Sequence, residues 1–120
     1  MKKSKPRNAG TLTESAYWSS VRSGLRRHFR YWKPMMEAKM KARRKNESEN
    51  TRLKWEFQCK QCSDWFPDKQ VEIDHIVPVG SLKCADDLAG FLERLTPEDG
   101  FQVLCVSCHR EKTNKEREKR

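Results

Sequence analysis

This sequence has no long hydrophobic run. Its apolar residues occur singly or in short clusters, far below the roughly 20 consecutive residues that a membrane-spanning helix needs. No apolar core follows the charged Met1–Lys5 start, so nothing marks a secretory leader; a cytoplasmic location with no membrane attachment is expected. Apolar residues are scarce altogether, at 35% against 36% charged. At 120 residues there is room for one domain with an appendage, and a core this small needs a staple or an ordering partner. No internal repeat is present.

Acidic residues are scarce outside the centre of the chain. Residues 1–54 carry sixteen Lys/Arg against four Glu, a net charge of +12. Residues 55–108 carry four against ten, net −6, and 109–120 return to six against three, net +3. Basic ends around an acidic centre suit a protein whose ends neutralise phosphates and whose centre binds divalent cations, although solvated helix faces produce the same pattern.

The N-terminal half reads as helical after a basic tail over residues 1–10. Thr11-Leu-Thr-Glu14 has the form of a capping box, and Trp18, Val21, Leu25 and Phe29, with Trp32 one turn on, recur at helical spacing. Arg22, Arg26, Arg27 and Arg30 fall largely off that stripe, which makes them the candidate nucleic-acid-binding residues. The aromatic stripe is read as packing against the downstream domain in preference to base stacking. His28 reads as a structural or phosphate-facing residue. Pro34 breaks or restarts the helix, Met35–Lys45 continues it, and residues 46–51 form a polar linker. A basic helical extension over 1–53 and a second domain over 54–120 are therefore expected.

In the second domain Trp55–Cys59 and Phe101–Leu104 are short strand candidates, alternation predicts a strand at Gln70–Asp74, and apolar spacing predicts a helix over Ala85–Leu95. Val106–Lys119 reads as a charged terminal helix with no strong apolar stripe beyond its first turn. Cys59 and Cys62 form one C-x-x-C pair, Cys105 and Cys108 another. In a reducing compartment such pairs read as metal ligands before disulfides, and two of them complete a tetrahedral structural zinc. Forty-two residues separate the pairs, so a folded insertion lies between them. No thioredoxin-like pattern supports a redox role, and Cys84 reads as a buried or idle thiol.

The insertion contains Glu72-Ile-Asp74-His75-Ile-Val-Pro78, and the second pair runs into His109 as Leu104-Cys-Val-Ser-Cys-His109-Arg-Glu-Lys112-Thr113. Over Cys59–Thr113 the sequence resembles the zinc-bearing branch of the HNH endonuclease family, whose parts occur in this order: C-x-x-C, D-H-I-x-P, L-C-x-x-C-H-x-x-K-T. The compact, basic format is similar to that of small phage nucleases. The resemblance implies an α+β, ββα-metal (HNH) core stapled by a four-cysteine zinc site. It makes His75 the general base, Asp74 and His109 ligands of a catalytic cation, and Cys59, Cys62, Cys105 and Cys108 ligands of a separate structural Zn2+.

Elementary chemistry agrees with that partition. Adjacent Asp74 and His75 on a strand point to opposite sides, so a carboxylate can hold a cation while an imidazole faces water, if the strand bends locally. An imidazole with an unperturbed pKa of about 6.5 accepts a proton near neutral pH. Mg2+ suits the oxygen ligand; an imidazole ligand also admits Mn2+, Ni2+ or Zn2+. His109 lies about 100° round the helix from Cys108 and can serve a second metal, though it can also replace a cysteine at the first. Lys112 and Thr113, one turn on, either contact phosphate or metal-bound water or lie on a solvated face; Glu72 either supports the cation site or forms a polar strand edge.

The pattern departs from the family at one point. Where the family has the asparagine that ties down the loop carrying the base, this chain has Gly100, with Asp99 and Asn114 as candidate substitutes for the missing side chain. The expected activity is hydrolysis of double-stranded DNA with little base preference, by a monomer, with phage packaging proteins as further partners for a phage-encoded chain. The alternative is a non-catalytic, zinc-stabilised nucleic-acid-binding module.

Overall fold

The computed structural model describes residues 4–49 and 51–118. Met1–Lys3 of the basic tail, Asn50 of the expected linker and Lys119 of the expected terminal helix lie outside the described residues. In chain order the elements are α1 (Glu14–His28), α2 (Lys33–Lys41), β1 (Arg43–Lys45), β2 (Trp55–Gln58), β3 (Trp65–Phe66), β4 (Val71–His75), α3 (Leu88–Leu95), β5 (Phe101–Cys105) and α4 (Val106–Glu118). Among the described residues this is a small α+β protein with four α-helices and two small antiparallel sheets.

The chain divides into two compact units, one from residues 1–32 and 77–97, the other from 33–76 and 98–120. Neither boundary coincides with the 53/54 division expected from composition. The physical reason in the first unit is that α1 finds its apolar partner in the insertion. Trp18 is buried with Val79, Leu82, Phe91 and Leu95, and Tyr17, Val21, Leu25, Phe29 and Leu88 pack around them. The stripe on α1 is thus a core stripe, and it packs on the 77–97 segment. Phe91 is fully buried, and burying a side chain of this size contributes about 1.5–3 kcal/mol. Trp32 closes the unit by donating its indole N–H to the carbonyl of Pro97 at 2.9 Å.

The start of α1 differs from expectation. Thr13, not Thr11, is the N-cap, its hydroxyl accepting from the Ala16 N–H at 3.1 Å. Thr11 instead donates to the Asn8 carbonyl at 2.7 Å. With the cap at Thr13, the Glu14 carboxylate is free to take Arg7 at 2.9 and 3.0 Å and the Trp18 indole at 2.9 Å.

In the second unit the helix expected over Met35–Lys45 stops at Lys41. Arg43–Lys45 is a strand, paired antiparallel with β2 in the register Arg43↔Phe57, Arg44↔Glu56, Lys45↔Trp55. Helix propensity loses here to tertiary pairing, because the strand stacks the Arg43 guanidinium 4.0 Å over the Trp55 ring and puts Arg44 3.8 Å over Trp65. The expected linker at 46–51 is the connection of this hairpin: Asn46 donates through its backbone N–H to Lys54 O and through its side chain to Leu53 O.

The second sheet pairs β4 with β5 antiparallel, in the register Val71↔Cys105, Glu72↔Leu104, Ile73↔Val103, Asp74↔Gln102, His75↔Phe101. Helix α4 begins at the next residue. Phe57, Val71 and Val103 form one buried cluster of this unit, and Cys59, Leu104, Cys105 and Cys108 the other. No helix among the described residues is long and apolar enough to cross a membrane.

Candidate functional site

The four paired cysteines come together. The sulfurs of Cys59, Cys62, Cys105 and Cys108 all lie within 4.8 Å of one another. A tetrahedral zinc with Zn–S bonds of about 2.3 Å separates its sulfurs by about 3.8 Å, so the cluster has the right size for one ion. Each pair sits on a turn in which a backbone N–H faces the first sulfur: Cys62 N–H to Cys59 Sγ at 3.5 Å and Cys108 N–H to Cys105 Sγ at 3.4 Å. Ser63, at φ +66°, reverses the chain after the first pair.

The electrostatics of the cluster call for a cation. Burial works against a thiolate at Cys59, but backbone N–H groups of Cys62, Cys105 and Gln61 outweigh it and hold this thiol down to about 6. Contact with Cys105 first, then burial and the other sulfurs, pushes Cys108 up to about 12, and Cys62 is raised as well. The two pairs thus differ in how their surroundings favour a thiolate: Cys59 is held down, while Cys62 and Cys108 are held up. Four cysteines so placed fit a structural zinc and leave no vacancy for His109 in the set. Cys84 stands outside it and is exposed rather than buried.

The residues between and after the cysteine pairs build a second constellation. Asp74 is buried, 8% exposed, near the end of β4. Its Oδ1 lies 3.4 Å from His109 Nε2, and the other ring nitrogen, Nδ1, is 2.6 Å from Glu72 Oε2. Glu72 and Asp74 share a face because they are two residues apart on a strand. His109 reaches both from the first turn of α4. Sequence reasoning pairs Asp74 with His109 and leaves Glu72 undecided; the close Glu72–His109 contact is not legible from spacing.

Two more side chains complete the surroundings of Asp74. Gln102, directly across the ladder, donates to Oδ2 at 2.8 Å. Lys112 Nζ donates to the same oxygen at 2.7 Å, to His75 O at 2.7 Å and to Ile76 O at 3.3 Å. Partial burial lowers the affinity of Lys112 for its proton, but the bonds to Asp74 and Glu116 outweigh it and raise the ammonium above the ordinary lysine value. The sequence leaves Lys112 facing phosphate or solvent; in the fold it faces inward. Gln102 escapes the sequence reading, because only the observed register, with His75 opposite Phe101, puts it across from Asp74.

His75 is the last residue of β4 and leaves the strand on the face opposite Asp74. Its ring meets Phe101 edge-on, with centroids 4.9 Å apart. Phe101 lines a cleft of about 700 Å³ together with Ile76, Gly100 and Gln102, and Lys41 and Lys60 stand on its walls among Glu37, Glu98 and Asp99. The loop after His75 is tied by backbone: the Ile76 N–H donates to Gly100 O at 2.9 Å. Gly100 has φ +145°, a conformation that only glycine adopts without strain. Asp99 and Asn114 are exposed and take no part in that tie.

The candidate phosphate-binding arginines belong to the first unit. Arg26, Arg27 and Arg30 are exposed, and Arg22 is half-buried, 3.4 Å from Ser19 Oγ. None of the four forms an ion pair among the described residues. Thr113 returns its hydroxyl to His109 O at 3.0 Å, within its own helix.

No protein-family model matches the chain, and neither a curated protein nor a solved structure matches it.

Proposed function

We propose that the protein is a metal-dependent endonuclease that hydrolyses DNA phosphodiesters, leaving 5′ phosphate and 3′ hydroxyl ends. In this reading β4, β5 and α4 are the ββα-metal core, Asp74 and His109 hold the catalytic cation, and His75 is the general base. The single observation that carries it is the 3.4 Å approach of His109 Nε2 to Asp74 Oδ1, an imidazole and a carboxylate brought together from a helix start and a strand end. That pair, next to a histidine at the strand terminus, is the donor set that HNH chemistry requires.

What a divalent cation supplies at such a site is neutralisation of charge on the phosphate and on the departing 3′ oxygen. The protein's own residues do the rest. Asp74 and His109 orient one side of the strand end, and Glu72 holds the His109 ring in the tautomer whose Nε2 is a ligand. His75, on the other side, takes the proton of the attacking water. The cleft beside Phe101 offers Lys41 and Lys60 to a phosphate backbone, and the arginines of α1 with Arg30 add sequence-independent affinity for a duplex.

A supercoiled plasmid tests the proposal. Nicking is expected in Mg2+ or Mn2+ and not in EDTA, and His75→Ala is expected to abolish it while the protein keeps its zinc. Retained cleavage by a pure, zinc-loaded variant would refute the base assignment. The second reading, a non-catalytic zinc-stabilised nucleic-acid binder, is favoured by the two donors, the Gln102 amide and the Lys112 ammonium, that already occupy Asp74 Oδ2. It is the correct one if the protein retards DNA in a gel but leaves it uncut whichever divalent cation is added.

A further inference from the structure

We propose that Lys112 is a positioning residue, whose ammonium ties the Asp74 carboxylate to the backbone carbonyls of His75 and Ile76 and so fixes the strand end that presents the candidate base. The inference rests on the nuclease reading for its catalytic consequence, and on the geometry alone for the tie itself.

The geometry is specific. An ammonium has three donors and no acceptor. Four acceptors surround that of Lys112: Asp74 Oδ2 and His75 O at 2.7 Å, Glu116 Oε1 at 3.2 Å and Ile76 O at 3.3 Å. No donor is left over for a phosphate oxygen. Three of the acceptors come from three consecutive residues, so a single cation gathers the last two residues of β4 and the first residue of the loop. A charge-assisted bond to a carbonyl is stronger than a neutral one, and here two of them act on the backbone of the residue whose imidazole must be aimed and of its neighbour.

Helix α4 delivers that ammonium at a defined point. His109, Lys112 and Glu116 recur at i, i+3 and i+7, hence on one face of the helix, with Cys105 and Cys108 at its beginning. The cysteine cluster anchors the helix start, His109 meets Asp74 one residue later, and Lys112 reaches the strand end one turn further on. Glu116, four residues beyond, holds Lys112 from its own helix. Position 100 offers no side chain for this task, and the Gly100 carbonyl takes the Ile76 N–H. Lys112 supplies the second, side-chain tie of the same loop.

Lys112→Met tests this in two arms, with zinc content as the control for folding; Lys112→Gln serves in its place if the Met variant loses zinc. In the first arm, amide hydrogen exchange at Ile76 is expected to quicken about tenfold or more as the strand end opens locally. In the second, kcat for plasmid nicking is expected to fall by about 10- to 100-fold, as when a supporting partner of a site residue is lost, with KM and the salt dependence of DNA affinity unchanged. Unchanged exchange together with unchanged kcat overturns the proposal. So does a raised KM with a salt slope shallower by about one and normal exchange, which returns Lys112 to a phosphate contact. Wild-type protein that leaves plasmid intact in Mg2+ and Mn2+ sinks the nuclease reading; the exchange arm then decides the tie by itself.

Discussion

Glu72 Oε2 stands 2.6 Å from His109 Nδ1, and the same ring turns Nε2 toward Asp74. A proton on Nδ1 shared with a carboxylate leaves Nε2 free to act as a ligand. On the proposed nuclease reading, Glu72→Gln is expected to weaken cation binding and lower nicking by about 10- to 100-fold, the usual loss when such a partner is removed. Metal titrations of the nicking rate check it, with zinc content as the control. An unaltered metal dependence reduces Glu72 to the polar edge of its strand.

Cys59, Cys105 and Cys108 are at once three of the four candidate zinc ligands and, with Leu104, a buried cluster of the second unit. Zinc binding in small stapled domains is worth on the order of 10–16 kcal/mol, against about 1.5–3 kcal/mol for one buried apolar side chain. Stripping the metal with a chelator is expected to unfold this unit, not merely to inactivate it. Loss of circular dichroism should coincide with zinc release. Cys62→Ser should lower the bound zinc, whereas Cys84→Ser should leave it unchanged.

Gly100 invites a repair that the backbone forbids. Gly100→Asn installs the residue type found at the similar point of HNH motifs, but φ +145° is outside the regions open to asparagine. The variant is expected to lose about 1–3 kcal/mol of stability to backbone strain, and to cut more slowly. Chemical denaturation beside the nicking assay checks both, and a faster, equally stable variant overturns the assignment of the loop tie to the backbone.

Acid should loosen the start of α1. Bonds from Arg7 first, then from Trp18, hold the Glu14 carboxyl down to about 2, below its ordinary value of 4.5. A folded-state value below the unfolded one means that this contribution is complete above the ordinary value and is lost as pH falls from there toward 2. Thermal unfolding followed across that window should show a fall in wild type that Glu14→Gln lacks. The effect should be small, because the pair is exposed and screened.

The residue order by itself determined the chemical inventory. Two C-x-x-C pairs predict a four-sulfur site because each pair presents its ligands from one local turn, and Asp74, His75 and His109 stand out because their order resembles that of HNH motifs. Strand β4, strand β5, helix α3 and helix α4 were legible for the same local reason: periodicity and flanking residues decide them. What local pattern could not decide was pairing. Arg43–Lys45 looks helical until Trp55 and Trp65 stand across from it. The stripe of α1 names its own apolar face but not the 77–97 segment that covers it. The inward turn of Lys112 and the meeting of Gln102 with Asp74 depend on strand register and on the direction in which α4 leaves the sheet. Those are properties of long-range packing, and only the tertiary structure decided them.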